Sequence, residues 1–330
     1  MKKIIKVGLL VIALSSFLFG CTKRVGDNTQ RTLKMGFQAN TSSTEYMAAM
    51  KFAEKAKELS DGSLDIQIYA GGQLGDDRSM LEQVAAGALD MVYAETGRLG
   101  LWVEEAEIFG YPFAFDDFDH LKRTLSSPYG KKLHEKFLSK GWRVLSTGYN
   151  GTRQTTSNKA INSIDDMKGM KLRVPNAKAN LKYAEYSGAS PTAMAFGEVY
   201  LALKTNAVDG QENPLSTIDA QKFYEVQKYC ALTNHILNDN NFIISDIIYN
   251  KLDASQQQAI TKAALIAADY QTDLFMDDEL KLIDTFKSKG VTITTPNKEG
   301  FRQACKPMFD EYIEKYGKEA VEAIEKARMM

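Results

Sequence analysis

The sequence predicts an α/β protein of two lobes, each a mixed sheet flanked by helices, with one long helix spanning both. Three observations predict it. Strand-like and helix-like segments alternate in two separate stretches, as open sheets with helical crossovers require. The chain has 330 residues, against roughly 100–200 for an ordinary domain. From Ala254 to Lys289 there is neither glycine nor proline.

At the start of the chain, Lys2, Lys3 and Lys6 precede an apolar run, Val7–Phe19, broken only by Gly8, Ser15 and Ser16. The run is shorter than the roughly 20 residues of a membrane span, so it reads as a secretory signal. It ends Leu18-Phe19-Gly20-Cys21, which matches the lipobox of bacterial lipoproteins, although a cysteine can follow such a run by chance. Residues 1–20 are therefore expected to be a cleaved signal, Cys21 the lipidation site and 21–31 a polar tether. That places the folded part in the periplasm, anchored to a bacterial membrane by lipid.

TLKMGF (Thr32–Phe37) then reads as a strand. Ser42-Ser43-Thr44-Glu45 has the spacing of a capping box, opening a helix with Ala49, Phe52, Ala53, Ala56 and Leu59 on one face and Asp61-Gly62 as its stop. LDIQIYA (Leu64–Ala70) is a second strand. Asp76-Asp77 starts a helix whose apolar stripe is Met80, Leu81, Val84, Ala85 and Ala88, and LDMVYA (Leu89–Ala94) is a third strand. Later, Trp142–Asn150 and Arg153–Asn158 are extended, and Ser163–Asp166 opens a short helix ended by Gly169. Met170–Pro175 is a strand, Ala177–Tyr186 a helix, Ala189–Ala195 a strand, Phe196–Asn206 helical and Val208–Asn213 extended.

Asp253 and Gln256 are placed as cap and capping-box partner for the long segment. A continuous helix there reaches about 54 Å at about 1.5 Å per residue, wider than one domain, unless it breaks into two near Asp277-Asp278. The expected division is 32–150 with 239–278 in one lobe and 151–238 with 279–330 in the other.

Charge excludes one class of partner. With 41 Lys+Arg against 42 Asp+Glu the chain stands at −1, and removal of the signal's three lysines gives 38 − 42 = −4, so nucleic acid is not expected. His120, His134 and His235 are scattered, without metal-ligand spacing, and no cofactor motif occurs. After Cys21, only Cys230 and Cys305 remain; they could pair, but a chain of this size does not need stapling, and two buried free thiols are the preferred reading. No nucleophile elbow, catalytic-triad order or phosphate loop is present, so no enzyme is expected.

Ligands of such sheets bind at the carboxyl ends of strands. Glu95 and Arg98 follow the third strand; Arg153, Arg173, Asn176 and Asn213 also fall at strand ends. Three arginines converging on one cleft make a carboxylate receptor, whereas singly each is as readily a surface ion pair. Asp77 suits a ligand hydroxyl or a helix N-cap, and Phe196 an apolar ligand face or the core.

The runs QLGDDRSMLEQ (Gln73–Gln83), YNGTRQTTSNKAINSIDDMKGMKLRVPNA (Tyr149–Ala177), GASPTAMAFGEVYLALKTNAVDGQENP (Gly188–Pro214) and KFYEVQKYCALTNHILND (Lys222–Asp239) resemble the substrate-binding proteins of tripartite ATP-independent periplasmic (TRAP) transporters, and among them the sialic-acid binders. The resemblance covers the chain from Leu33 onward. It implies a periplasmic-binding-protein fold, a monomer, a carboxylate ligand such as N-acetylneuraminate and the TRAP membrane subunits as partners. It also implies site roles: Arg173 as the carboxylate clamp, joined by Arg153 and Asn213; Asp77, Glu95 and Arg98 toward the N-acetyl and glycerol groups; Phe196 against the sugar; Asn176 on the wall. Gln38 stands where asparagine is usual, and Asn240 where glutamine is usual. Gly151 and the region of Asn238 are the expected hinge points. Two other readings stay open: another organic acid on the same fold, and a secreted enzyme acting on sialoglycoconjugates.

Overall fold

The computed structural model describes residues 30–330, so the expected signal, Cys21 and nearly all of the tether lie outside the described residues. Strand β1 (Arg31–Gly36) begins inside the expected tether. It is followed by α1 (Thr44–Leu59), β2 (Leu64–Tyr69), α2 (Asp77–Ala85) and β3 (Met91–Ala94), in the predicted order. β1 runs parallel to both β2 and β3, as strands joined through helices must.

The caps of the first two helices sit elsewhere than the spacing suggests. Ser43, not Ser42, caps α1, accepting from Tyr46 N at 3.1 Å, while the Ser42 hydroxyl turns to Asn40 Oδ1 at 2.8 Å. Glu45 is thus no capping-box partner. Asp76 caps α2, accepting from Ser79 N at 2.8 Å, which leaves Asp77 free of that duty. In both cases adjacent residues can each supply the capping oxygen, and the turn geometry selects one.

After α3 (Thr96–Leu99), α4 (Phe118–Ser126) and α5 (Pro128–Ser139), the two extended segments predicted on either side of residue 151 form one strand, β4 (Trp142–Ser157). Then follow β5 (Lys171–Val174), α6 (Lys178–Tyr186), β6 (Ser190–Ala193), α7 (Val199–Lys204), β7 (Gly210–Pro214), α8 (Leu215–Ala220), β8 (Tyr229–Ala231), β9 (Leu237–Ser245) and α9 (Asp246–Tyr249). The chain ends with α10 (Ala254–Ser288), β10 (Thr292–Thr294), α11 (Lys298–Tyr316) and α12 (Glu319–Arg328).

The main path of strands is β2-β1-β3-β9-β4-β7-β5-β6, with β8 joining β4 and β10 joining β8. Every antiparallel pairing involves β4 or β9. These two strands connect two α/β lobes whose remaining pairings are parallel. Their own ladder is interrupted between Tyr149 and Thr152, where Gly151 has φ 81°, directly across from Leu237–Asp239.

α10 is unbroken over 35 residues, with Asp253 and Gln256 forming the predicted capping box. Ala259, Ala263, Ala264, Ala267 and Ala268 are buried in a core with Phe52 and Phe242; Phe275 belongs to a second core with Trp142 and Tyr183, and Phe286 to a third with Phe223. One helix thereby joins all three cores. The small side chains let backbone approach backbone: a Cβ at Gly148 would lie 3.0 Å from the Ala268 carbonyl oxygen. α12 turns back onto α4, where His120 Nε2 donates to Ile324 O at 2.8 Å and Arg123 Nε to Ala327 O at 2.8 Å. The sequence division had grouped α12 with the other lobe. Apolar positions alone do not say which neighbour they face.

Gly151 is the position where glycine is required twice over. Its φ is left-handed, and a Cβ would lie 2.7 Å from Pro214 Cβ and 3.2 Å from Phe275 Cδ1. Gly151→Ala is expected to cost about 1–3 kcal/mol of stability, measurable as a lowered urea midpoint with an unchanged slope.

Candidate functional site

A cavity of about 290 Å³ opens at the carboxyl ends of the strands. Phe37 and Gln38 reach it from the end of β1, Ala94 and Glu95 from β3, Pro175 and Asn176 from β5, Ala195 and Phe196 after β6, and Asn213 from β7. Nine of the ten ligand-contact residues expected from sequence line it: Gln38, Asp77, Glu95, Arg98, Arg173, Asn176, Phe196, Asn213 and Asn240. Arg153 does not.

A second cavity, about 520 Å³, is larger, but hydrogen bonding sets the first apart as the candidate site. Buried polar atoms in native proteins are nearly always paired. Among the described residues, those left without a hydrogen bond include Glu45 Oε2, Tyr93 Oη, Asn150 Oδ1, Arg173 Nε and Asn240 Oδ1, all from residues of the smaller cavity's wall. None belongs to the larger cavity, where Glu279 accepts from Tyr149 Oη at 3.0 Å and Thr152 N at 2.8 Å. Residues that carry such atoms thus gather around one cavity.

The charge in that space is arranged in two parts. Arg173 is 2% exposed; its Nη2 donates to Met194 O at 2.7 Å, and its guanidinium carbon lies 5.9 Å from the centre of the Phe196 ring. Burial, then the neighbouring Arg98, pull its pKa down to about 9, against the pull of Glu212. It stays charged at neutral pH, a buried cation in want of an anion. Arg98, in contrast, sits 3.3 Å from Glu95 and 3.8 Å from Asp77; burial opposes its charge, but these carboxylates outweigh burial and raise its pKa. For Asp77 burial wins over Arg98 and raises the carboxyl to about 6.

Arg153 lies behind the wall. Its Nε meets Glu212 Oε2, its Nη2 donates to Glu212 Oε1 at 3.0 Å and to Asn213 Oδ1 at 3.2 Å, and its Nη1 lies 3.6 Å from Glu95 Oε1. Glu212 is fully buried, and although burial alone would raise its pKa, Arg153 and the His235 hydrogen bond hold it down to about 2. Burial keeps His235 neutral, so its Nε2–H donates to Glu212 at 3.1 Å while Nδ1 accepts from Thr233 Oγ1 at 2.8 Å. Its ring stacks on Tyr183 at 3.9 Å. Arg153 is therefore neutralised by the protein, and Arg173 is not.

Sequence reasoning missed Glu45, Tyr93, Asn150 and Asn238 on the wall. Glu45 was read as a cap partner, and Tyr93 and Asn150 as ordinary strand residues. Asn238 Nδ2 donates to Glu95 Oε1 at 3.2 Å, tying the strand opposite Gly151 to the site.

The pattern of the bacterial extracellular solute-binding proteins, family 7, matches residues 35–315. The chain belongs to this family. As a family-7 protein it is a TRAP solute-binding protein, and its relatives agree. It is 48% identical to the sialic acid-binding periplasmic protein SiaP of Vibrio cholerae, over 97% of this chain and 98% of that one. It is 31% identical to the 2,3-diketo-L-gulonate-binding periplasmic protein YiaO of Escherichia coli, over 80% of this chain and 81% of that one. The sugar acid binding protein DctPAm of Advenella mimigardefordensis, solved with galactonate, superposes with a TM-score of 0.86 at 32% identity, covering 91% of this chain and 99% of that one.

Glu212 has a depressed pKa, so it contributes stability above its ordinary value of 4.5 and loses it as pH falls toward about 2. Glu212→Ala leaves Arg153 buried and unpaired and is expected to cost about 3–5 kcal/mol at pH 7. Chemical denaturation at several pH values should show the gap between wild type and variant closing below pH 4.5.

Proposed function

We propose that this chain captures a monocarboxylate sugar acid, N-acetylneuraminate first among them, and passes it to the TRAP membrane subunits. The observation that carries this is Arg173: a buried, charged guanidinium with one nitrogen left without a hydrogen bond among the described residues, in the wall of a cavity that mixes polar and apolar side chains. An arginine fork is the natural partner of a carboxylate. Asn213 adds an amide to the same wall, and Phe196 offers a ring near the guanidinium. Arg153 acts in this reading as the support that holds Asn213, rather than as a direct clamp. Likeness to the Vibrio protein favours sialic acid among the sugar acids. Gln38 and Asn240 then set the fine selection among sialic acids.

Binding works by closure. The cavity takes residues from both proposed lobes, so a ligand bridging Asp77, Glu95 and Arg98 on one side and Arg173 and Asn213 on the other favours the closed arrangement only while it is bound. The hinge is the break in the β4–β9 ladder at Gly151, opposite Asn238. The chain is read as a monomer, as a binder without turnover, and as tethered through Cys21; no helix among the described residues is long and apolar enough to cross a membrane. The cavity's chemistry also admits other sugar acids, and relatives solved with galactonate and D-glucuronate make that the second reading.

A thermal-shift panel of N-acetylneuraminate, galactonate, glucuronate and a dicarboxylate should give the largest, concentration-dependent rise in Tm with N-acetylneuraminate. No shift with millimolar sialate would sink that assignment. By calorimetry Arg173→Ala should weaken binding by about 2–5 kcal/mol; unchanged affinity would remove Arg173 from the clamp.

A further inference from the structure

One side-chain hydrogen bond joins two walls of the cavity through residues outside its lining. Asn40 Nδ2 donates to Ala220 O at 2.9 Å. Phe37, Gln38 and Ala39, which lead into Asn40, line the cavity, and so does Thr217 of α8, the helix that Ala220 ends. By the division proposed above, Asn40 belongs to the first lobe and Ala220 to the second.

Each partner is prepared for this contact on its own side. A helix leaves its last carbonyls without intrahelical donors. Past the end of α8, Gln221 N turns back to Thr217 O at 3.0 Å and Lys222 N to Asp219 O at 2.9 Å, while Ala220 O is met from the other wall. On that wall Ser42 donates twice to Asn40 Oδ1, from its N at 3.0 Å and from its hydroxyl at 2.8 Å. A backbone N–H can only donate, so the atom it reaches is the amide oxygen, and the NH2 group is the one turned to Ala220. The Ser42 hydroxyl also comes within 3.5 Å of Ala220 O, but its one proton is committed to Asn40. The segment before Asn40 is itself fixed: Gly71 N donates to Ala39 O at 2.7 Å, Gly72 N to Phe37 O at 3.0 Å, and Gln38 Nε2 to Gly75 O at 2.8 Å.

The place of this bond sets it apart from other contacts across the division. Arg153 and Asn238, which reach Glu95, stand on β4 and β9, the strands that carry the hinge. The Asn40 loop follows β1, which pairs with β2 and β3, whereas α8 follows β7, which pairs with β4 and β5. No strand pairing holds these two elements together, so their contact depends on the angle between the lobes. Both residues are half-buried, and water can replace the bond when the walls part.

We propose that Asn40 is a closure latch: from one lobe it caps the last carbonyl of α8 in the other, and so slows release of the ligand without contacting it. This rests on the hinge closure proposed above and names the residue that holds the closed arrangement. A group outside the cavity stabilises closure around whatever is inside, so its effect is the same for every ligand and falls on release rather than capture.

Association and dissociation rates are to be measured by surface plasmon resonance for wild type, Asn40→Ala and Asn40→Asp, using the sugar acid that gives the largest thermal shift. Asn40→Ala removes the donor. Asn40→Asp keeps the shape and the Ser42 bonds but turns a carboxylate oxygen toward the Ala220 carbonyl. Dissociation should be several-fold faster in Asn40→Ala and about tenfold or more faster in Asn40→Asp, with association in Asn40→Ala within about twofold of wild type. The ligand-free urea midpoint should stay unchanged in both, and any second acid that binds should be released faster by the same factor. Wild-type release rates in both variants overturn the latch. So does an effect confined to association, an effect on one acid and not another, or faster release matched by an equal loss of ligand-free stability, which makes Asn40 a structural residue. If no sugar acid binds the wild type, the ligand reading and the latch fall together; if one binds and leaves all three proteins at the same rate, the latch alone falls.

Discussion

The buried pair between Arg153 and Glu212 is the interaction on which the rest of the binding end depends. It joins adjacent strands β4 and β7, with neither side chain more than 1% exposed. His235 and Asn180 add hydrogen bonds to the same carboxylate. Charges this deep are tolerated only when each has a partner and its lone pairs are filled. The pair achieves that internally and fixes Asn213 through Arg153, while Arg173 in the cavity wall has no ion pair among the described residues.

This separates two arginines that look alike in sequence. Both lie in extended segments, both are almost fully buried, and both were expected at the ligand carboxylate. Arg153 is spent on the framework through Glu212, whereas Arg173 lines the cavity without an ion pair among the described residues. Under the proposed role for Arg173, a protein whose overall charge is negative can still attract an anion, through a cation in a desolvated cavity rather than through the surface field.

Much of the fold was legible because it follows from period and punctuation. The β-α-β-α-β order, the short capped turn at Ser163 and the length of α10 rest on patterns in which each residue reports its own local state. The single strand through Gly151 was less legible: a glycine between two extended runs marks a bulge and a chain break alike, and the ladder with β9 decides between them. The site divided along similar lines. Residues in distinctive runs, such as Arg173 and Asn213, could be placed through family resemblance. Glu45 and Tyr93 could not, since only the fold brings them to the cavity wall. The cap of α1 is decided by one residue's shift, and that shift turns a helix-stabilising carboxylate into a cavity wall.

The two remaining cysteines have a chemical consequence for life outside the cytoplasm. Cys230 and Cys305 are free and almost fully buried, in separate cores, and burial pushes each thiol up to about 12. Only the thiolate exchanges with disulfides, and at neutral pH such groups supply it at a fraction of about 10⁻⁵. The folded receptor is thereby kinetically inert toward an oxidising surrounding. The hazard is confined to the interval before the cores close, when either thiol is exposed and a wrong cross-link can be trapped.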